Sequence, residues 1–187
     1  MFRTVVIGVF ATVVVLIATD LARRILCRNI KRPAHKADRG NLIVWLIQIC
    51  VNVAGIACLA AVAVTGFAPV LANKPAISGY LLMAHVTTAG AFAVSAVFVA
   101  ILWLSRSGFS CDYASNSDVL RKSFFWIAVA TAIPTLASAV LAMFPLLPEA
   151  QQETLLLIHR VSALLLVTSG ALFTYFSFAA WYNYPRS

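Results

Sequence analysis

The run LLLIHRVSALLLV, residues 155–167, is made for lipid except at His159 and Arg160. Outward from it the apolar character continues over roughly 154–181. A spanning helix needs about 20 apolar residues, and this run exceeds that. Comparable runs cover roughly 4–26, 42–71, 79–105 and 122–146. Of the 187 residues, 62% are hydrophobic and only 11% charged, which excludes an ordinary soluble domain and leaves little chain for a catalytic one. Unpaired backbone groups are costly in hydrocarbon, so the runs are expected to be helices. The short alternating strands of a membrane β-barrel are absent from the sequence. The expectation is an all-α integral membrane protein, residues 1–187 forming one domain of five transmembrane helices, with a basic connection over 27–41.

The net charge of +8 is not the footprint of nucleic acid. Seven of the fourteen Lys and Arg residues fall in ARRILCRNIKRPAHKADRGN, residues 22–41, and RSGFSCDYASNSDVLRK, residues 106–122, holds three more. The connections ANKPAIS and LPEAQQE together hold only Lys74. Positive charge is retained on the cytoplasmic side, so the N-terminus is expected outside and the C-terminus inside. The basic connection then lies against anionic headgroups, which makes membrane lipid a partner. Trp45, Trp103, Trp126 and Trp181 all fall at the cytoplasmic ends of their helices in this topology, where aromatic belts sit. Residues 1–20 lack the charge order of a cleaved signal, so a retained first helix is expected. Asp20, near its inner end, is expected to pair with Arg23 or Arg24.

Cysteines build no site here. Cys50 and Cys58 lie within the second helix, while Cys27 and Cys111 fall on the reducing cytoplasmic side. No C-x-x-C-H is present for covalent haem, and no C-x-x-C for zinc or an iron–sulfur cluster. The outer connections are short, so the second and third helices, and the fourth and fifth, are expected to be antiparallel neighbours. Small residues such as Gly55, Gly66, Gly90, Ser138 and Gly170 allow close helix approach. Pro134, in mid-span, is expected to kink the fourth helix.

His35 lies in the basic connection and reads as solvated. His85, in SGYLLMAHVTTAGAFAV, and His159 lie within the spans. Both helices run inward from the outer face. Each histidine falls roughly 8–9 Å below the outer end expected for its helix, at about 1.5 Å per residue. Ionisable residues inside a bilayer are costly and face the protein interior. Two imidazoles on facing helices suit axial ligation of haem iron. Arg160 is placed to pair with a propionate. The positions three and four beyond each histidine are Thr88, Ala89, Ser162 and Ala163, small residues that leave room for a flat ring. Thr88 and Ser162 can orient the imidazoles, or their hydroxyls can bond back to their own helices. Structural hydrogen bonding, a proton relay or another metal are the competing readings of the pair. Zinc or a di-iron centre calls for more ligands, carboxylates above all.

TGFAPVL, SGYLLMAHVTTAGAFAVSAVFVAILW and LLLIHRVSALLLVTSGALFTYF resemble the helices of bacterial b-type cytochromes, the cytochrome b561-like membrane subunits of respiratory complexes. The resemblance covers roughly residues 42–181. Bundles of that family commonly hold two haems on four histidines, and here the second and fourth helices carry none. The resemblance therefore implies one haem b towards the outer face, with His85 and His159 as its ligands. It implies an electron-transfer subunit, rather than a stand-alone enzyme, in the bacterial inner membrane. Such a subunit passes electrons between quinone and a partner carrying iron–sulfur clusters or c haems. Glu153, Lys74 and Tyr80 are the candidate quinone residues; Glu153 also reads as a helix-start acid. Gln48 and Asn52 are expected to hydrogen bond between helices. A haem-free structural anchor is the alternative. A small transporter is a weaker one, since inverted repeats and broken helices are not evident in the sequence.

Overall fold

The computed structural model describes residues 2–26, 42–73, 77–104, 116–144 and 147–182. They form five helices: α1 (Phe2–Leu26), α2 (Leu42–Leu71), α3 (Gly79–Leu104), α4 (Asn116–Ala142) and α5 (Glu149–Tyr182). Each is long and apolar enough to cross a membrane. Large apolar side chains point outward along them, Val64 and Ile133 each being 67% exposed. In water such faces would associate; in lipid they are solvated.

Two helix starts lie further out than the apolar runs suggest. Helix α5 begins at Glu149, not near Thr154, and α4 at Asn116, not near Lys122. The extra turns are polar. Pro148 opens α5, its carbonyl accepting from the amides of Gln151 at 2.9 Å and Gln152 at 3.1 Å. Proline suits a first helical turn because its missing N–H has no helical partner there. Glu149, rather than Glu153, is the acid of that first turn. In α4 the opening turn is closed by an Asp118–Arg121 ion pair at 3.3 Å. The α2–α3 turn uses left-handed backbone at Asn73, with φ of 59°, and at Gly79, with φ of 61°.

The short turns do make neighbours: α2 lies along α3 and α4 along α5. The two hairpins meet chiefly through α2 and α5, and α1 packs on α5. Towards the end that carries the α2–α3 and α4–α5 turns Val6, Phe67 and Leu164 form a small core, with Phe10 set edge-on to Phe67 at 5.5 Å. Towards the other end Trp103, Phe125 and Phe173 interlock, Phe173 lying 5.2 Å from Trp103 and 5.7 Å from Phe125. Close approach needs glycine at Gly170, where an added Cβ would come within 2.6 Å of Leu59 Cδ2. Helix α4 runs unbroken through Pro134. Asp20 accepts a hydrogen bond from Tyr175 Oη at 2.8 Å, tying α1 to α5. The side chains of Arg23 and Arg24, its expected partners, lie outside the described residues, as do His35, Cys27 and Cys111 and the side chains of Trp45 and Trp181. Asn52 does bond between helices, accepting from Trp103 Nε1 at 3.0 Å. Trp103 is thus turned into the bundle, whereas Trp126 is exposed.

Candidate functional site

The two intramembrane histidines are held in the same manner. His85 on α3 sets Nδ1 3.0 Å from Thr65 Oγ1 on α2. The same Thr65 hydroxyl lies 2.8 Å from the Ala61 carbonyl and 3.2 Å from the Val62 carbonyl. His159 on α5 sets Nδ1 3.0 Å from the Thr135 carbonyl of α4, with Ser138 Oγ at 3.2 Å. A carbonyl can only accept, so Nδ1 carries the hydrogen. Both rings are therefore tethered to the neighbouring helix through Nδ1, and for His159 that nitrogen carries the hydrogen. The bonds to Thr65, Ser138 and the Thr135 carbonyl all run through Nδ1. The imidazoles lie within electrostatic reach of one another.

Local sequence explains the tethers. Pro69 lacks the N–H that would meet the Thr65 carbonyl, which loosens the ladder of α2 at the level of His85. Gly66 lets the His85 ring lie against the α2 backbone, since a Cβ there would stand 2.9 Å from His85 Cε1. On the other hairpin, Thr135 Oγ1 donates to Ser162 Oγ at 2.9 Å, and Ser138 Oγ donates to the Pro134 carbonyl at 2.6 Å. The result is a hydroxyl seam on which His159 rests.

The expected residues are placed as follows. Thr88 donates to the Ala84 carbonyl at 2.7 Å and Ser162 to the Ile158 carbonyl at 2.8 Å, so neither hydroxyl orients an imidazole. That task falls to Thr65 and to the Thr135 carbonyl. Ala89 and Ala163 are half-buried beside the histidines. One turn deeper, Phe92 and Leu166 are buried and close the helix faces below the pair. Arg160 is exposed on α5 next to His159, with no ion pair among the described residues. Glu153 and Tyr80 are exposed near the same end, and no contact joins them to the imidazoles. Lys74 lies outside the described residues. Because α5 starts earlier than expected, depth counted from helix ends no longer matches the two histidines.

Thr65 and Thr135 are the residues that sequence reasoning missed, while Gly66 and Ser138 were read only as small packing residues. A signal for Thr65 existed. It precedes the α2–α3 turn by as many residues as His85 follows it, and an antiparallel hairpin pairs such positions.

No group of three or more His, Cys, Asp or Glu side chains converges to hold a metal ion among the described residues. Zinc and di-iron centres draw on such sets. Two imidazoles alone fall short of such a set. Compared with known proteins, the chain matches no family model, no curated protein and no solved structure.

Proposed function

We propose that the chain is the b-haem membrane subunit of a respiratory oxidoreductase complex in the bacterial inner membrane. It passes electrons between the quinone pool and a periplasmic-side redox partner through one haem near the outer face. The observation that carries this reading is that His85 and His159, both inside apolar spans, are each tethered to the neighbouring helix through Nδ1, which leaves Nε2 as the nitrogen for a ligand role. Haem b, when bound, supplies a one-electron iron couple.

The chain's own residues do the rest. Thr65 and the Thr135 carbonyl fix the imidazole planes and raise their basicity through the Nδ1 hydrogen bonds. Ala89 and Ala163 keep the flanking faces low. Phe92 and Leu166 exclude water from below. Arg160, exposed near the outer end, pairs with a propionate. The interlocked aromatic residues of the other half support a single haem in the outer half. Glu153 is the proton acceptor offered to a quinol at its carboxylate, with Tyr80 and Lys74 at the entrance. The partner carries the next cofactor, iron–sulfur or c haem, because the five helices leave no domain of their own for one.

A second reading, a haem-free structural anchor, has its own support. Each imidazole already staples its hairpin, α2 to α3 and α4 to α5, and such bonds alone stabilise membrane bundles. The visible spectrum of the purified protein separates the two. Dithionite-reduced b-type bands are expected in the wild type and absent in both His85→Ala and His159→Ala. Unchanged bands in either variant remove that residue as a ligand. A folded wild type without bands favours the anchor.

A further inference from the structure

At the opposite end of the bundle two buried donors lack acceptors. Arg121 Nε on α4 and Ser177 Oγ on α5 are both buried, and neither has a hydrogen-bond partner among the described residues. Buried polar groups are nearly always paired, so each such atom asks for an explanation. Ser177 stands out on its own helix. Thr154, Ser162, Thr168, Ser169 and Thr174 each donate to the carbonyl four residues earlier, whereas Ser177 does not.

The two atoms belong to one place. Phe125 contacts Phe173 at 5.7 Å. Arg121 lies one turn outward from Phe125, and Ser177 one turn outward from Phe173, on antiparallel helices. Both therefore project from the same seam, just beyond the aromatic layer. The Arg121 guanidinium rests over the Trp103 ring at 5.6 Å, within cation–π range. Its Nη2 meets Asp118 at 3.3 Å, which leaves Nε directed elsewhere. The Arg121 side chain is 24% exposed, so its body is covered while its end reaches the edge of the bundle. Lys122 follows it in sequence, and Trp126 is exposed one turn deeper.

We propose that Arg121 and Ser177 bind the phosphate of an anionic phospholipid at this end of the bundle. A phosphodiester offers acceptor oxygens to a guanidinium N–H and a hydroxyl together, and its acyl chains continue along the exposed apolar faces of α4 and α5. Basic seams between transmembrane helices take lipid headgroups in this manner on the cytoplasmic side, where the proposed topology puts this end. Free phosphate shares the headgroup chemistry but lacks the chains, which the exposed Trp126 and Phe178 beside the seam favour.

The test is native mass spectrometry of the full chain in detergent, titrated with phosphatidylglycerol, phosphatidylcholine or inorganic phosphate. Saturable, preferential binding of phosphatidylglycerol is expected. Arg121→Gln should weaken it about tenfold, by loss of a charge-assisted bond, and Ser177→Ala roughly threefold. Wild-type binding in both variants overturns the proposal. So does equal binding of phosphatidylcholine, or displacement by inorganic phosphate at matched concentration. Should Arg121→Gln lose its fold with the Trp103 contact, the smaller Ser177→Ala change decides. The readout is lipid mass, so the result stands apart from whether haem is bound.

Discussion

Thr65 contributes one oxygen, 3.0 Å from His85 Nδ1, and that contact holds the ring against α2. Replacing it with valine keeps the shape and removes the oxygen. Loss of such an outer partner lowers metal affinity by about 10–100-fold. Thr65→Val is therefore expected to raise the haem dissociation constant within that range, while Thr65→Ser, which keeps the oxygen, stays near wild type. Titration of the apoprotein with haemin, read at the Soret band, measures both; equal affinities in all three proteins would show that the Thr65 contact is only a staple. The histidines themselves were legible in the sequence because an ionisable ring in an apolar span costs too much to be incidental. Their partners were hidden. A helical threonine ordinarily bonds back to its own helix, as Thr88 does, and no local pattern marks the one that also faces a ring. Thr135 was harder still, since its backbone carbonyl, not its side chain, accepts from His159.

At the scale of the helix, packing between the hairpins depends on the absence of a side chain. Gly170 on α5 meets Leu59 on α2 so closely that a Cβ would stand 2.6 Å from Leu59 Cδ2. Gly170→Ala must push back either the leucine or the helix, and overpacking of this kind costs about 1–3 kcal/mol. The flexible end of Leu59 is what collides, so Leu59→Ala in the same chain should recover part of the loss. Thermal unfolding of the two single variants and the double variant in one detergent reads this as a coupling. Strict additivity would mean that the two residues do not press on each other. The same scale shows what apolar runs report. The extent of α2 was legible to the residue, for its ends coincide with the ends of its apolar run. The starts of α4 and α5 were not, because Asn116–Asp118 and Glu149–Gln152 are helical through capping and backbone bonds rather than through lipid. An apolar run measures the bilayer; a helix continues wherever its amides find carbonyls.

Over the whole molecule the question is which end of the bundle faces which compartment. Five helices long and apolar enough to cross a membrane would, if all span, put the two termini on opposite sides. Ten of the fourteen cations fall in the two connections on one side, seven over 22–41 and three over 106–122, against Lys74 alone in the other two. A bias of that size sets orientation. The His85–His159 pair lies in the halves of α3 and α5 nearest the poorly charged connections, and the Arg121–Ser177 seam lies at the other end. The topology thus decides whether the pair serves a periplasmic or a cytoplasmic partner. A green fluorescent protein fused after Ser187 is expected to fluoresce, and alkaline phosphatase at the same position to be inactive, because the first folds in the cytoplasm and the second needs the oxidising periplasm for its disulfides. A fusion within residues 72–78 should show the opposite pair of signals. Adding three or four lysines to that connection opposes the existing bias and should lower the fluorescence of the C-terminal fusion. A dark C-terminal fluorescent fusion with active phosphatase in the unmodified chain would turn the bundle over. The imidazoles would then face the cytoplasm, the partner would have to be a cytoplasmic one, and the basic connections would lie outside.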